Sequence, residues 1–187
     1  MRHQSRSYAV QALYQSEMLQ SKSMIHCDRF LEQLETSDET KAFARELIEG
    51  TLKYRKQIDR NLRRNLDRWK LNRLSFVVRN ILRLAVFELC YHKQSSHQVV
   101  INEAIELCKD FVDDSSHGLL NSVLQKLHDE IENPDKLSSE RNIKPTSSNN
   151  VEDSKEGDPY GFTNNNKFYT VNFLKEMMQI FFIEKHV

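Results

Sequence analysis

Phe76-Val-Val-Arg-Asn-Ile-Leu-Arg-Leu-Ala-Val-Phe-Glu-Leu89 is the stretch on which the fold turns. Its apolar residues Val78, Ile81, Leu82, Ala85 and Leu89 fall at relative positions 0, 3, 4, 7 and 11. That spacing keeps them on one face of an α-helix and matches no strand. Downstream, Ile101, Ala104, Ile105, Cys108 and Val112 repeat it, and so do Leu120, Val123, Leu124, Leu127 and Ile131. Tyr91 to Gln98 is polar and interrupts the pattern, and Asp113 to His117 is a short turn rich in capping residues. Three consecutive helices with one apolar stripe each must pack on one another or on whatever precedes them.

Towards the N-terminus, Val10, Leu13, Tyr14 and Met18 mark a helix from about Ser5 to Gln20, and Phe30, Leu31 and Leu34 a shorter one. Ser37-Asp38 offers an N-cap. From there Phe43, Leu47, Ile48, Leu52, Ile58, Leu62 and Leu66 predict one long helix through Gly50. A glycine inside a helix costs about 1 kcal/mol relative to alanine, so Gly50 points to a close approach or a bend. Trp69 to Asn72 reads as a connection.

Towards the C-terminus the character changes after Asn133. Residues 134–166 hold all three prolines, many Ser and Asn and few apolar groups, which predicts a linker with too little to bury. Residues 167–187 turn apolar again around Phe168 to Ile183 and predict an amphipathic helix, docked on the domain or on a partner. That run is too short and too interrupted by charge to span a bilayer. The expected organisation is a helical domain over 1–133, a linker over 134–166 and a C-terminal helix over 167–187.

Composition excludes several classes of function. The 187 residues carry 27 basic and 27 acidic side chains, so an affinity for polyanions must be local. Four glycines leave little room for a phosphate-cradling loop, and neither GxGxxG nor GxxxxGK[ST] occurs. GxSxG, CxxC and HExxH are absent too. The acidic pairs Asp113-Asp114 and Glu103/Glu106 read as caps or solvated faces, and no nucleophile accompanies His117. No metal site or cofactor is expected, and binding is favoured over catalysis. Three widely spaced cysteines, Cys27, Cys90 and Cys108, do not make a disulfide framework, and the N-terminus lacks a signal-peptide apolar run. The cytoplasm is the expected compartment.

The densest positive charge runs from Lys53 to Arg73. Lys53, Lys56, Arg60, Arg63/Arg64 and Arg68 step by three or four and share one helix face. That face suits phosphates, or it is simply the solvated side opposite Leu52, Ile58, Leu62 and Leu66. At the N-terminus, Arg2, His3 and Arg6 precede Tyr8 and Tyr14, a mixture of cations and rings that suits single-stranded RNA.

Three strings point to a known family. They are Ala9-Val-Gln-Ala-Leu-Tyr-Gln15, then Asn80-Ile-Leu-Arg-Leu-Ala-Val-Phe-Glu-Leu89, then Val100-Ile-Asn-Glu-Ala-Ile-Glu-Leu-Cys-Lys109 followed by Leu119-Leu-Asn-Ser-Val-Leu124. In this order and at these distances, over roughly residues 2–132, the chain resembles the NusB family of transcription antitermination factors. The resemblance implies an all-α fold of two packed three-helix bundles, here with a C-terminal extension. It implies binding of a single-stranded boxA-type RNA together with the ribosomal protein NusE. The assembly joins the RNA polymerase antitermination complex, chiefly on ribosomal RNA operons. No cofactor is implied, and some members form homodimers.

Carried over residue by residue, the resemblance assigns RNA contact to Arg2, Arg6, Tyr14, Ser115, Ser116, His117 and Leu119, and protein-partner contact to Val78, Arg79 and Glu88. Glu88 also borders an apolar stripe, where a structural hydrogen bond is an equal expectation. Ser115 stands where members often have an acid, Leu119 where phenylalanine is usual, and Val78 where an acid is common. Two other readings are a diverged interaction protein without RNA binding and a fragment of a ribosomal RNA cytosine methyltransferase, some of which begin with a NusB-like domain.

Overall fold

The computed structural model of the chain describes residues 1–21, 23–66, 70–112 and 114–133; the linker and C-terminal helix expected over 134–187 lie outside them. Seven α-helices are described: α1 (Arg2–Met18), α2 (Ile25–Glu32), α3 (Asp38–Lys53), α4 (Arg55–Asn65), α5 (Phe76–Phe87), α6 (His97–Phe111) and α7 (His117–Glu132). No strand occurs among the described residues. Serine side chains start three of the helices. Ser37, Ser75 and Ser96 each accept a hydrogen bond from the backbone N–H three residues on, which satisfies a donor the helix leaves open.

α1, α2 and α3 pack together as one group, and α4 to α7 form a second. α1 lies against both α3 and α5 and joins the two. The expected stripes are the core: Val78, Ile81, Leu82 and Ala85 of α5, Ile101, Ala104 and Cys108 of α6, and Leu120, Val123, Leu124 and Leu127 of α7 are all buried. Ile131, at the end of the last stripe, is exposed. Burying a leucine- or isoleucine-sized side chain is worth about 1.5–3 kcal/mol, so these stripes supply most of the drive to fold.

Two departures from regular periodicity place the functional side chains. The long helix expected through Gly50 is broken at Tyr54, which ends α3 and begins α4, so α4 belongs to the second group of helices. Gly50 itself faces the ring of Phe87, and a Cβ added there would overlap that ring. The α3–α5 contact therefore depends on glycine. The second departure is a π turn over Glu88–His92 that ends with Lys93 in the left-handed region, at φ 48°. It extends the α5 helix by one wider turn, a device that re-aims side chains within a helix. Glu88 is thereby directed inward, and Tyr91 and His92 towards α3 and α4.

Candidate nucleic-acid interface

The N-terminal turn of α1 carries Arg2, His3 and Arg6, and the three meet different surroundings. Arg2 is exposed, with its guanidinium 4.0 Å above the ring of Phe43 in α3. His3 bridges two carboxylates of α6, with Nδ1 3.1 Å from Glu103 and Nε2 2.9 Å from Asp110. Burial alone would lower the His3 pKa, but its hydrogen bonds to Asp110 and Glu103 and their charges raise it above the ordinary value of 6.5.

Arg6 is buried, at 2% exposure. It donates from Nε to Glu88 Oε1 at 2.8 Å and from Nη2 to Glu88 Oε2 at 2.7 Å, a bidentate fork. Nη1 also reaches Glu103 at 3.4 Å, and Nη2 reaches Ser95 Oγ at 3.3 Å. Burial pulls the Arg6 guanidinium down, but the hydrogen bonds and charge of Glu88 outweigh it and hold it protonated. Arg6 and Glu88, expected to contact RNA and protein respectively, are thus each other's partner in the interior. Removing either would leave a buried charge uncompensated, which typically costs about 3–5 kcal/mol.

The turn before α7 contributes Ser115, which is exposed, and His117, which is half-buried. Ser116 is fully buried, and its Oγ meets no hydrogen-bond partner among the described residues. Leu119 is buried at 8% exposure as part of the α7 stripe, so it offers no stacking surface. Lys109, by its hydrogen bond and its charge, and after it the charges of His3 and His117, lower the pKa of Glu106 on α6, and α6 packs against both α1 and the turn before α7. The start of α1, the second half of α6 and the turn before α7 therefore share one face. Its cations are interspersed with Glu103, Glu106 and Asp110. Tyr14 does not join it. It sits twelve residues further along α1, about 18 Å at 1.5 Å per residue. There it is buried edge-on against Phe76, 6.3 Å between centroids, and burial raises its hydroxyl pKa.

The three residues expected at the protein-partner surface are also interior. Val78 is at 1% exposure, Glu88 is paired as described, and Arg79 is buried beside the ring of Phe76 at 4.7 Å. Arg79 belongs to a charge network centred on Glu17 of α1. Glu17 meets Arg79 Nη2, Arg83 Nη1 and Arg55 Nη2 at 3.0 Å each, and Asn80 Nδ2 at 2.9 Å. Arg83 in turn forks onto Asp59 of α4 at 2.7 and 3.1 Å. Three arginines thus meet two carboxylates. Burial, followed by the charges of the neighbouring arginines, outweighs the pull of Glu17 and lowers the Arg79 pKa. Arg79 Nε is buried and meets no hydrogen-bond partner among the described residues. Three apolar side chains close in sequence to this network are exposed, Phe76 at 40% and Met18 and Leu19 at 51% each.

The sequence pattern of the NusB family matches residues 3–129. The chain belongs to the NusB family. A transcription antitermination protein NusB of Bacillus cereus (strain B4264) is 39% identical over 131 residues, covering 68% of this chain and 97% of that protein. The NusB of Bacillus thuringiensis (strain Al Hakam) has the same identity and coverage. Among solved structures, T. maritima NusB superposes with a TM-score of 0.63 at 34% identity, covering 70% of this chain and 92% of that one. A structure of the antitermination factors NusB and NusE in complex with dsRNA shares the fold, with a TM-score of 0.61 at 22% identity, over 68% of this chain and 95% of that one.

Within this NusB-family domain several functional groups escape a reading by periodicity. Glu17, Asp59 and Arg83 hold the interior network, yet they lie on three helices and no local spacing links them. Phe76 precedes the α5 stripe and is the exposed ring at the place where Val78 was expected to act. The signal that could have found Arg83 is its position inside the buried string Ile81 to Phe87, where a cation needs a partner.

Proposed function

We propose that this chain is a transcription antitermination factor that binds a single-stranded boxA-type RNA together with NusE. It acts on RNA polymerase in the cytoplasm, chiefly during ribosomal RNA transcription, as a binding module rather than an enzyme. The observation that carries the reading is the match of residues 3–129 to the NusB family, with a relative named for antitermination matched over 97% of its length. A solved structure of the same fold holds NusB with NusE and double-stranded RNA, which supports NusE and RNA as the kinds of partner. No described helix is long and apolar enough to cross a membrane.

In this reading RNA lies on the face shared by Arg2, His3, Ser115 and His117. NusE meets the apolar surface of Phe76, Met18 and Leu19 over Arg79. Residues 134–166 act as a linker to an amphipathic segment over 167–187. A second reading, a NusB-fold interaction protein without RNA binding, is favoured by one observation: Arg6 is committed to Glu88, which thins the cations on the RNA face. Fluorescence anisotropy with a labelled boxA-type RNA, with and without NusE, separates the two. Binding that NusE strengthens is the expected result. No binding of RNA near physiological salt, with or without NusE, would overturn the proposal in favour of the second reading.

A further inference from the structure

The cations of α4 are disposed quite differently from those of α1. Lys56, Arg60, Arg63 and Arg64 project from one exposed face, opposite the buried Ile58 and Leu62. Together with Asp59 they line a shallow cavity of about 420 Å³. Asp59 is the one acid at this cavity, and Arg83 already occupies both of its oxygens. Arg64 is 3.7 Å from Glu130, whereas Lys56, Arg60 and Arg63 make no ion pair among the described residues. Arg68, the last cation of the run, lies outside the described residues.

This arrangement works against the helix that carries it. Lys56–Arg60, Arg60–Arg63 and Arg60–Arg64 are like-charged pairs at three- and four-residue spacing, and each disfavours the helix. Arg55 and Lys56 sit in the first turn, which has no acid, where the helix dipole is itself positive. Asp59, three and four residues from Lys56 and Arg63, and the dipole at the last turn under Arg63 and Arg64 offset part of this repulsion, and a bound polyanion would relieve the rest. At the N-terminal end of α4 stand two stacked rings, Tyr54 at the start of the helix and Tyr91 from the π turn, 4.2 Å apart and 10° from parallel. Tyr91 is 36% exposed, and Lys53 lies 5.4 Å from the Tyr54 ring. Cations with adjacent exposed rings suit a single strand, whose phosphates and unstacked bases can both be met.

We infer that the α4 face, Lys56, Arg60 and Arg63, with Tyr91 stacked on Tyr54 at the helix start, is a second contact surface for single-stranded RNA, separate from the face at the start of α1. The inference rests on the RNA-binding reading above. It names the surface that supplies the charge which Arg6, committed to Glu88, does not.

The test uses the full chain and two labelled probes, a boxA-type RNA and an oligouridine of similar length. Affinities are measured between about 50 and 200 mM salt for the wild type and for the triple variant Lys56→Gln/Arg60→Gln/Arg63→Gln. All three side chains are exposed, so the fold is retained, and circular dichroism verifies this. Removing three phosphate contacts to a single strand lowers the slope of log K against log salt by about 2 and weakens binding about tenfold or more at low salt. Tyr91→Ala weakens binding about fivefold with little change in slope, because a stacked base carries no charge. A control triple, Arg29→Gln/Arg45→Gln/Lys126→Gln, removes equal charge from exposed positions outside both RNA faces and leaves the slope nearly unmoved. Unchanged slope and affinity in the α4 triple would overturn the inference, as would an equal effect in the control. Loss of binding to a labelled oligoglutamate, with RNA unaffected, would also overturn it and assign the face to an acidic protein. A wild-type chain that binds neither RNA overturns the RNA-binding reading itself; wild-type binding with an unmoved α4 triple overturns only the α4 surface.

Discussion

Arginines serve two regions of this molecule in opposite ways. Between α1 and α5, Arg6, Arg79 and Arg83 are buried, and carboxylates from other helices hold them: Glu88, Glu17 and Asp59. On α4, Lys56, Arg60 and Arg63 are exposed and make no ion pair among the described residues. The same residue type is a structural rivet in one place and a free positive surface in the other. A charge contributes to recognition only where the fold leaves it unanswered. An interior pair spends its interaction within the molecule, and a phosphate cannot compete for it without first separating a buried ion pair.

The sharpest way to break this comparison is to remove an interior partner. Arg6→Ala strands Glu88 in the core, and the expected loss is about 3–5 kcal/mol by urea denaturation. The joint replacement Arg6→Met/Glu88→Leu recovers much of that loss, because no charge is left stranded. A loss below about 1 kcal/mol for Arg6→Ala would place its guanidinium in solvent, as an RNA ligand.

A smaller effect is expected at the edge of the interior network. Phe76→Ala removes a partly exposed ring over Arg79 and weakens binding to NusE by about 2 kcal/mol if this ring anchors the partner, beside the stability lost with its packing on Tyr14. Isothermal titration with purified NusE reads this directly, and equal affinity for both chains would move the partner surface elsewhere.

On α4 the expected sign reverses. Lys56→Gln/Arg60→Gln/Arg63→Gln removes like-charge neighbours and changes stability by less than about 1 kcal/mol, towards greater stability. A clear destabilisation in the same urea assay would mean that these side chains have folding partners after all.

The smallest effect is pH-dependent. The His3 pKa is raised by its acidic partners in the folded state, so its contribution is fully present below the unfolded value of 6.5. It is lost as pH rises through the higher folded value. His3 is partly exposed and its pairs are screened, so His3→Gln is expected to cost roughly 0.5 kcal/mol at acidic pH and almost nothing well above neutrality. A cost that grew with pH would contradict the paired state.

Most of the helical framework is legible in the chain because one-faced stripes need no distant information. Val78 to Leu89, Ile101 to Val112 and Leu120 to Ile131 locate α5, α6 and α7 within a few residues. Two features are not legible. The break at Lys53-Tyr54-Arg55 carries no glycine or proline, and it is set by the packing of α4 on α5 and α7. The π turn at Glu88–His92 sits where the pattern merely fades into polar residues.

The site was less legible than the fold. The family strings assign Arg6, Tyr14, Ser116, Leu119, Val78, Arg79 and Glu88 to surfaces, and the structure buries all seven. Burial of a cation depends on a carboxylate 82 residues away, as for Arg6 and Glu88, and no local spacing reveals such a pair. Arg2, Ser115 and the α4 cations Lys56, Arg60, Arg63 and Arg64 are exposed, as charged and polar side chains outside the apolar stripes are expected to be.

The most direct measurement of the central claim, that exposed rather than interior cations bind RNA, is a two-dimensional amide spectrum of the labelled chain titrated with boxA-type RNA. The account predicts shifts concentrated at Lys56 to Arg64 and Tyr91, with a second set at Arg2 to Ser5 and Ser115 to His117. Shifts confined to other surfaces, such as Phe76 to Asn80, with both of these regions unmoved, would contradict it.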